Sequence, residues 1–307
     1  MALCLAASVA ACGGGSSASD AGAADAPGLD ASSADAAAID ADTADAGADV
    51  GASDAGPISY TTEMRTLSSG GVDWPYVLVR PAVTTGLPLV IGLHPDGGSG
   101  PGFHAQMMFE SVATRPMIYA YPSAPGGQFE YYTLAGRQAA AQMVLDLIAS
   151  LAAELGADAT HVYVAGYSGG ATMGNAMQCH LPAGTLRGVG LYAGTLYAQD
   201  DPPGSGMNLD LTYTAGGGVS CALAPVLFVW GTLDTSDVSF TAGEATRDNY
   251  RANFGCGGGA ESAWTHDPCV TYAGCSAPVV WCPIAGFMHA PPWPGAGAVM
   301  QAFFETL

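Results

Sequence analysis

Ser168 sits in the pentapeptide Gly166-Tyr167-Ser168-Gly169-Gly170, after the apolar run Val162-Tyr163-Val164-Ala165 and before a helical pattern. A Gly-x-Ser-x-Gly match alone is weak in a chain with 43 Gly. The flanks give it chemical meaning. A tight strand-to-helix turn lifts a serine hydroxyl above a sheet, and small neighbours let the backbones approach. Such a serine can attack an acyl carbonyl if a base takes its proton and an acid orients the base. On this architecture the chain order is serine, acid, histidine. The run Val226–Trp230 ends in Gly231-Thr232-Leu233-Asp234. That places Asp234 just past a strand's C-terminal end, where open α/β sheets present their functional groups. Asp234 is the candidate acid and Asp237 its competitor. Beyond them the chain has only His266 and His289. His266 lies in a cysteine-rich stretch and reads as a surface residue. His289 follows the last apolar run and precedes the last helical pattern, which makes it the candidate base.

Charge developing on the carbonyl oxygen needs two N–H donors. One is expected from Gly169, directly after the serine. The other should come from the loop His94-Pro95-Asp96-Gly97-Gly98-Ser99-Gly100. Pro95 has no N–H, which leaves Asp96, with its carboxylate expected to point away from the oxyanion. His94 is expected to brace that loop. Tyr167 and Trp293 lie near these residues in sequence. They are candidates to line an apolar acyl slot, with plain core packing as the alternative. The six His show no His-Glu-x-x-His spacing and there is no Cys-x-x-Cys, so neither a metal site nor a cofactor is expected.

These groups need elements to hold them. Tyr76–Val79, Leu89–Leu93, Met117–Tyr121, Val162–Ala165, Gly188–Tyr192, Val226–Trp230 and Val279–Trp281 read as buried strands, short, apolar and bounded by Gly or Pro. Arg137–Leu155 reads as a helix, with Met143, Val144, Leu147, Ile148 and Leu151 at three- and four-residue steps and Gly156 as its C-cap. Further helices are expected over Gly169–His180, Ala242–Phe254 and Ala296–Phe304. Strands alternating with helices predict an α/β domain over 58–307, a single mostly parallel sheet with helices on both faces.

Six cysteines fall in this domain: Cys179, Cys221, Cys256, Cys269, Cys275 and Cys282. An even count in an exported chain predicts disulfides. Six allow 15 pairings, and the expectation is Cys179–Cys221, Cys256–Cys282 and a local Cys269–Cys275.

The N-terminal 57 residues read differently. Residues 1–12, MALCLAASVAAC, are apolar and end in Val9-Ala10-Ala11-Cys12 before three glycines. This is a signal-peptide pattern, too short to span a bilayer. Its ending resembles a bacterial lipobox, in which Cys12 would be lipidated, although no Lys or Arg precedes the apolar run. Residues 13–57 are almost all Ala, Asp, Gly and Ser, with nine Asp and no base. That composition predicts an extended, solvated linker. The whole chain has 27 acids against 7 bases, all Arg, for a net charge of −20. Nucleic-acid binding by phosphate neutralisation is excluded, as is a polybasic membrane patch. A lipid anchor is the one membrane contact expected, at the outer membrane or outside the cell. The chain is expected to act as a monomer.

Taken together, the motifs resemble the α/β-hydrolase fold. More narrowly they are similar to the feruloyl esterase, acetylxylan esterase and polyhydroxybutyrate depolymerase group, carbohydrate esterase family one. The matching segments are Pro88–His94 with its glycine-rich continuation, Gly166–Gly170, Val226–Asp234, Asn253-Phe254-Gly255-Cys256, and His289 followed by Trp293-Pro294-Gly295. Tyr272-Ala273-Gly274-Cys275 and Pro278–Cys282 look most like the feruloyl branch. Two departures stand out: Pro95 where the family usually has Gly, and Trp230 where it often has His. The resemblance implies Ser168, Asp234 and His289 as the triad of a secreted serine carboxylic ester hydrolase. Its first-choice substrate is a hydroxycinnamoyl ester of plant cell-wall polysaccharide. Acetylxylan esterase and polyester depolymerase are the alternatives, and an inactive surface-binding lipoprotein is a further one.

Overall fold

Six parallel strands form the middle of the sheet, and each is buried along its whole length or nearly so. The computed structural model describes residues 58–195, 221–258 and 260–307. The leader, Cys12 and the 13–57 linker lie outside the described residues, and what is described falls in one compact unit. The strands are β1 (Tyr60–Ser69), β2 (Val72–Pro81), β3 (Leu89–Leu93), β4 (Ile118–Pro122), β5 (Val162–Tyr167), β6 (Gly188–Tyr192), β7 (Val226–Gly231), β8 (Glu261–Ala263), β9 (Val270–Tyr272) and β10 (Val279–Ile284). Their order across the sheet is β1-β2-β4-β3-β5-β6-β7-β10-β9-β8. The run from β4 to β10 is parallel, while β1, β2, β8 and β9 add antiparallel edges. This is the α/β-hydrolase fold.

The helices are α1 (Gly100–Met107), α2 (Leu134–Leu155), α3 (Gly169–Met177), α4 (Phe240–Asn253) and α5 (Ala296–Glu305). α2 and α3 pack together on one face, joined by α4, whose Tyr250 hydroxyl donates to Asn175 of α3 at 2.8 Å. α1 and α5 meet on the other face. α2 is long and apolar enough to cross a membrane, yet its buried side chains Met143, Val144, Leu147 and Leu151 belong to the core of this domain.

Every expected strand is present, most of them extended by one or more residues. β1 has no apolar alternation to reveal it, because its less exposed positions include Glu63, Arg65 and Ser69 while Met64 faces solvent. It pairs with β2 through a Gly70-Gly71 turn, both glycines at positive φ, the conformation a two-residue hairpin loop demands. α1 was hidden by its Gly100-Pro101-Gly102 start. Ser99 caps it by accepting from the Gly102 N–H at 3.3 Å. α2 begins three residues early, at a Thr133 cap that accepts from the Gly136 N–H at 2.9 Å.

The disulfides are Cys179–Cys221, Cys256–Cys275 and Cys269–Cys282. The expected Cys269–Cys275 and Cys256–Cys282 pairs are corrected. Val280 faces Thr271 and Trp281 faces Val270 across β10 and β9. Continuing that antiparallel register sets Cys282 opposite Cys269. An extended β9 lies between Cys269 and Cys275 and holds them apart. Cys275 instead reaches the end of α4, where the Ser276 N–H donates to Phe254 O at 2.8 Å.

Candidate active site

β5 ends at Tyr167, and the chain turns into α3 at Ser168. Ser168 holds φ +52° and ψ −122°, a left-handed φ that a side chain rarely adopts. The turn is tight because the glycines around it have no Cβ. A Cβ on Gly166 would lie 2.6 Å from Gly170 O, and one on Gly170 would lie 2.1 Å from Leu93 O. The serine is thus pressed between β5, α3 and the end of β3 with its hydroxyl presented outward.

Three side chains from three loops meet there. His289 Nε2 is 2.9 Å from Ser168 Oγ, and His289 Nδ1 is 2.8 Å from Asp234 Oδ2. Because a carboxylate only accepts, the Nδ1 proton faces Asp234 and Nε2 is free to accept from the serine. The Asp234 side chain is completely buried. Its other oxygen, Oδ1, accepts from the Ser236 N–H at 3.0 Å and the Ser236 hydroxyl at 2.6 Å. Asp237, the competing acid, is exposed and lines the cleft, while the carboxylate bonded to His289 is that of Asp234. His266 lies elsewhere, against Trp264.

The loops carrying acid and base are zipped together. The Thr232 N–H donates to Ile284 O at 3.0 Å and the Leu233 N–H to Phe287 O at 2.8 Å. The Gly286 N–H donates to the Thr232 hydroxyl at 3.1 Å. A Cβ on Gly231 would come within 2.3 Å of Phe287 O, so the two loops sit as close as backbones can.

Tyr167 and Trp293 do not line the cleft at Ser168. Tyr167 is buried, its ring centroid is 5.5 Å from that of His289, and its hydroxyl donates to His289 O at 2.6 Å. Burial pushes that phenol above its ordinary pKa, so it stays a donor. The Trp293 ring packs against Gly295, and its backbone N–H donates to the Tyr192 hydroxyl at 3.1 Å. Both set the base loop rather than form an acyl slot.

The Asp96 and Gly169 N–H groups have no hydrogen-bond partner among the described residues. They are available as an oxyanion pair. Asp96 is solvent-exposed, yet its carboxylate lies against Gly169. A Cβ on Gly169 would meet its Oδ1 at 2.0 Å. The expectation that this carboxylate points away is therefore corrected. Tyr131 and Gln128 hold it, donating to Oδ2 at 2.7 and 3.1 Å. Sequence reading missed both residues, and missed Ser236. Only the Ser236 hydroxyl, two residues after an acid, carried a local signal.

His94 braces this loop. It is fully buried, with Nδ1 2.8 Å from Pro95 O and Nε2 accepting from the Ala124 N–H at 2.9 Å. Those partners fix one neutral tautomer, and burial lowers its pKa. The cleft has a volume of about 160 Å³ and is lined by Asp96, Tyr131, Tyr132, Thr172, Ser236 and Asp237 around the serine and histidine. Among the described residues no group of three or more His, Cys, Asp or Glu is placed to hold a metal ion.

No family model matches the chain. Acetylxylan esterase A of Aspergillus ficuum is 28% identical over 135 residues, covering 40% of this chain and 44% of that protein. The chain therefore spans less than half the length of this curated relative. Acetyl xylan esterase from Aspergillus awamori superposes with a TM-score of 0.58 at 17% identity, over 79% of this chain and 99% of that one. A dienelactone hydrolase from Klebsiella pneumoniae gives 0.52 at 19%, over 81% and 100%. The class defined by fold and site is the α/β-hydrolase class with a serine–histidine–aspartate arrangement. Within it the chain resembles the esterases.

Proposed function

We propose that this chain is a serine carboxylic ester hydrolase that removes small acyl groups, acetyl foremost, from a hydroxyl-rich carbohydrate of plant cell wall. The observation that carries the chemistry is the row Ser168–His289–Asp234, bonded at 2.9 and 2.8 Å with its acid buried. His289 Nε2 takes the Ser168 proton as Oγ attacks the ester carbonyl. Asp234 stabilises the imidazolium. The Asp96 and Gly169 N–H groups receive the oxyanion. His289 then protonates the leaving alcohol, and water attacks the acyl-enzyme by the same route.

Acetyl is favoured over hydroxycinnamoyl by the lining of the cleft. An aromatic acid needs an apolar slot. Among the described residues, the lining around Ser168 is mostly hydroxyls and carboxylates, with Val238 its one aliphatic side chain, and neither Tyr167 nor Trp293 is part of it. The similarity to acetylxylan esterase A points the same way. Three disulfides support an oxidising, extracellular setting. Lipidation of Cys12 would hold the enzyme at the outer membrane. A mature N-terminal peptide beginning at Cys12, with the mass of attached acyl chains, is the expected result; an unmodified cysteine there would remove the anchor.

The decisive comparison offers acetylated xylan, methyl ferulate and polyhydroxybutyrate to the wild type and to Ser168→Ala. We expect the acetyl ester to be cleaved fastest and the variant to lose about 10³-fold or more in kcat. Cleavage of methyl ferulate alone would restore the feruloyl assignment. No turnover by the wild type would leave a binding protein on a hydrolase fold.

A further inference from the structure

A carboxylate beside an oxyanion hole is a cost unless something offsets its charge. Asp96 is in that position. Its Oδ2 is saturated by Tyr131 and Gln128. Tyr131 is itself fixed, since its carbonyl accepts from Arg137 Nη1 at 3.0 Å and its hydroxyl is 2.5 Å from that of Tyr132. The side chain is therefore oriented rather than swinging free. Among the described residues its Oδ1 has no hydrogen-bond partner; it lies over the Cα of Gly169 and opens on the same cleft as Ser168. Among the described residues no arginine lines that cleft.

We infer that Asp96 Oδ1 is a specificity-determining acceptor for a hydroxyl of the substrate next to the ester being cleaved. The inference rests on the ester-hydrolase reading above. A substrate hydroxyl that donates to Oδ1 places its positive end between the carboxylate and the developing oxyanion. The repulsion is then relieved in the transition state. An ester with no such donor leaves Oδ1 of this exposed carboxylate to solvent alone, with no fixed donor between it and the oxyanion, and its turnover is slower. Acylated sugars carry free hydroxyls on the carbons adjoining the ester, so they meet the requirement. Simple alkyl esters do not. Asp96 thus selects through the transition state, by the difference between a paired and an unpaired charge.

The test uses two esters of methyl β-xyloside, each with one acetyl group. One keeps the neighbouring hydroxyls free and the other has them methylated. The ratio of kcat/KM between the two is measured for wild type, Asp96→Asn and Asp96→Ala. The wild type should favour the free-hydroxyl ester by about tenfold, the scale of one charge-assisted hydrogen bond. The ratio should collapse toward unity in Asp96→Ala and fall part-way in Asp96→Asn, mainly through kcat. The methylated ester should be cleaved faster by both variants than by wild type. A loop merely loosened by substitution would scale both esters alike. An unchanged ratio in all three proteins would therefore overturn the role of Asp96 while leaving the hydrolase intact. Failure of the wild type to cleave either xyloside or nitrophenyl acetate would overturn the hydrolase reading itself, and this inference with it.

Discussion

At the residue scale the site is governed by what has no side chain. Gly169 follows the serine, supplies an oxyanion donor, and faces the Asp96 carboxylate across a gap that a methyl group would fill. A Cβ there would lie 2.0 Å from Oδ1, 2.5 Å from Cγ and 2.9 Å from Oδ2. One of the two must move. Tyr131 and Gln128 hold the Asp96 carboxylate, so either those two bonds break or the strain passes to the backbone that carries the second oxyanion donor. We therefore expect Gly169→Ala to lower kcat by about 10²-fold or more, the effect of losing one oxyanion donor, with little change in thermal midpoint. Adding Asp96→Gly removes the collision yet keeps both N–H groups, so activity should be partly regained. A double variant as slow as Gly169→Ala alone would show that the Asp96 side chain is not the obstacle.

At the element scale, the legible parts were those whose burial is complete. β3, β5, β6 and β7 are apolar at nearly every position, so their sequence shows them directly, and Ser168 and Asp234 could be placed because each follows such a strand. Elements that depend on partners were not legible. β1 reads only as a half-exposed segment with no apolar alternation, and β9 is three residues long. Without β9 the register opposite β10 is invisible, so local proximity suggested Cys269–Cys275 where strand pairing dictates Cys269–Cys282. Nor could the chain near Asp96 reveal its side chain's direction, because Gln128 and Tyr131 act from 32 and 35 residues away.

The connection after β3 carries its own prediction. His94 is buried and neutral, and burial lowers its pKa despite Pro95 O and the Asp96 charge, which both act to raise it. In the unfolded chain an ordinary imidazole takes a proton below about pH 6.5. As pH falls through that value the unfolded state binds a proton that the native state refuses, so stability falls with decreasing pH. The loss is complete once pH passes the lower folded-state pKa. No contribution from His94 is expected above about pH 7. His94→Gln retains an acceptor for Ala124 but cannot titrate. Urea unfolding at pH 7.5 and 5.0 should show a larger drop for wild type than for this variant. Equal drops would mean that His94 is not a source of acid sensitivity.

At the scale of the whole molecule the acidic balance acquires a location. Nine of the 27 acids fall in residues 13–57, leaving 18 acids and all seven arginines for the rest of the chain. None of them lines the cleft among the described residues, and five have clear partners. Arg65 and Arg80 pair with Glu63, Arg247 and Arg251 with Asp248, and Arg137 is buried beneath Tyr131. Among the described residues the cleft is left with the carboxylates of Asp96 and Asp237 and no arginine beside them. A field of one sign, focused in a cleft, repels substrates of that sign over a Debye length. That length is about 30 Å at 0.01 M salt and about 8 Å at 0.15 M. Acetylated xylan bearing uronic acid groups should therefore be a poor substrate at low salt, with kcat/KM rising several-fold as salt is added. Neutral acetylated xylan and nitrophenyl acetate should show a flat profile over the same range. The contrast separates electrostatic exclusion from any general effect of salt on the fold, which would move all three substrates together. If the acidic xylan is hydrolysed as readily at 0.01 M as at 0.15 M, the charge of this chain serves solubility alone and plays no part in choosing its substrate.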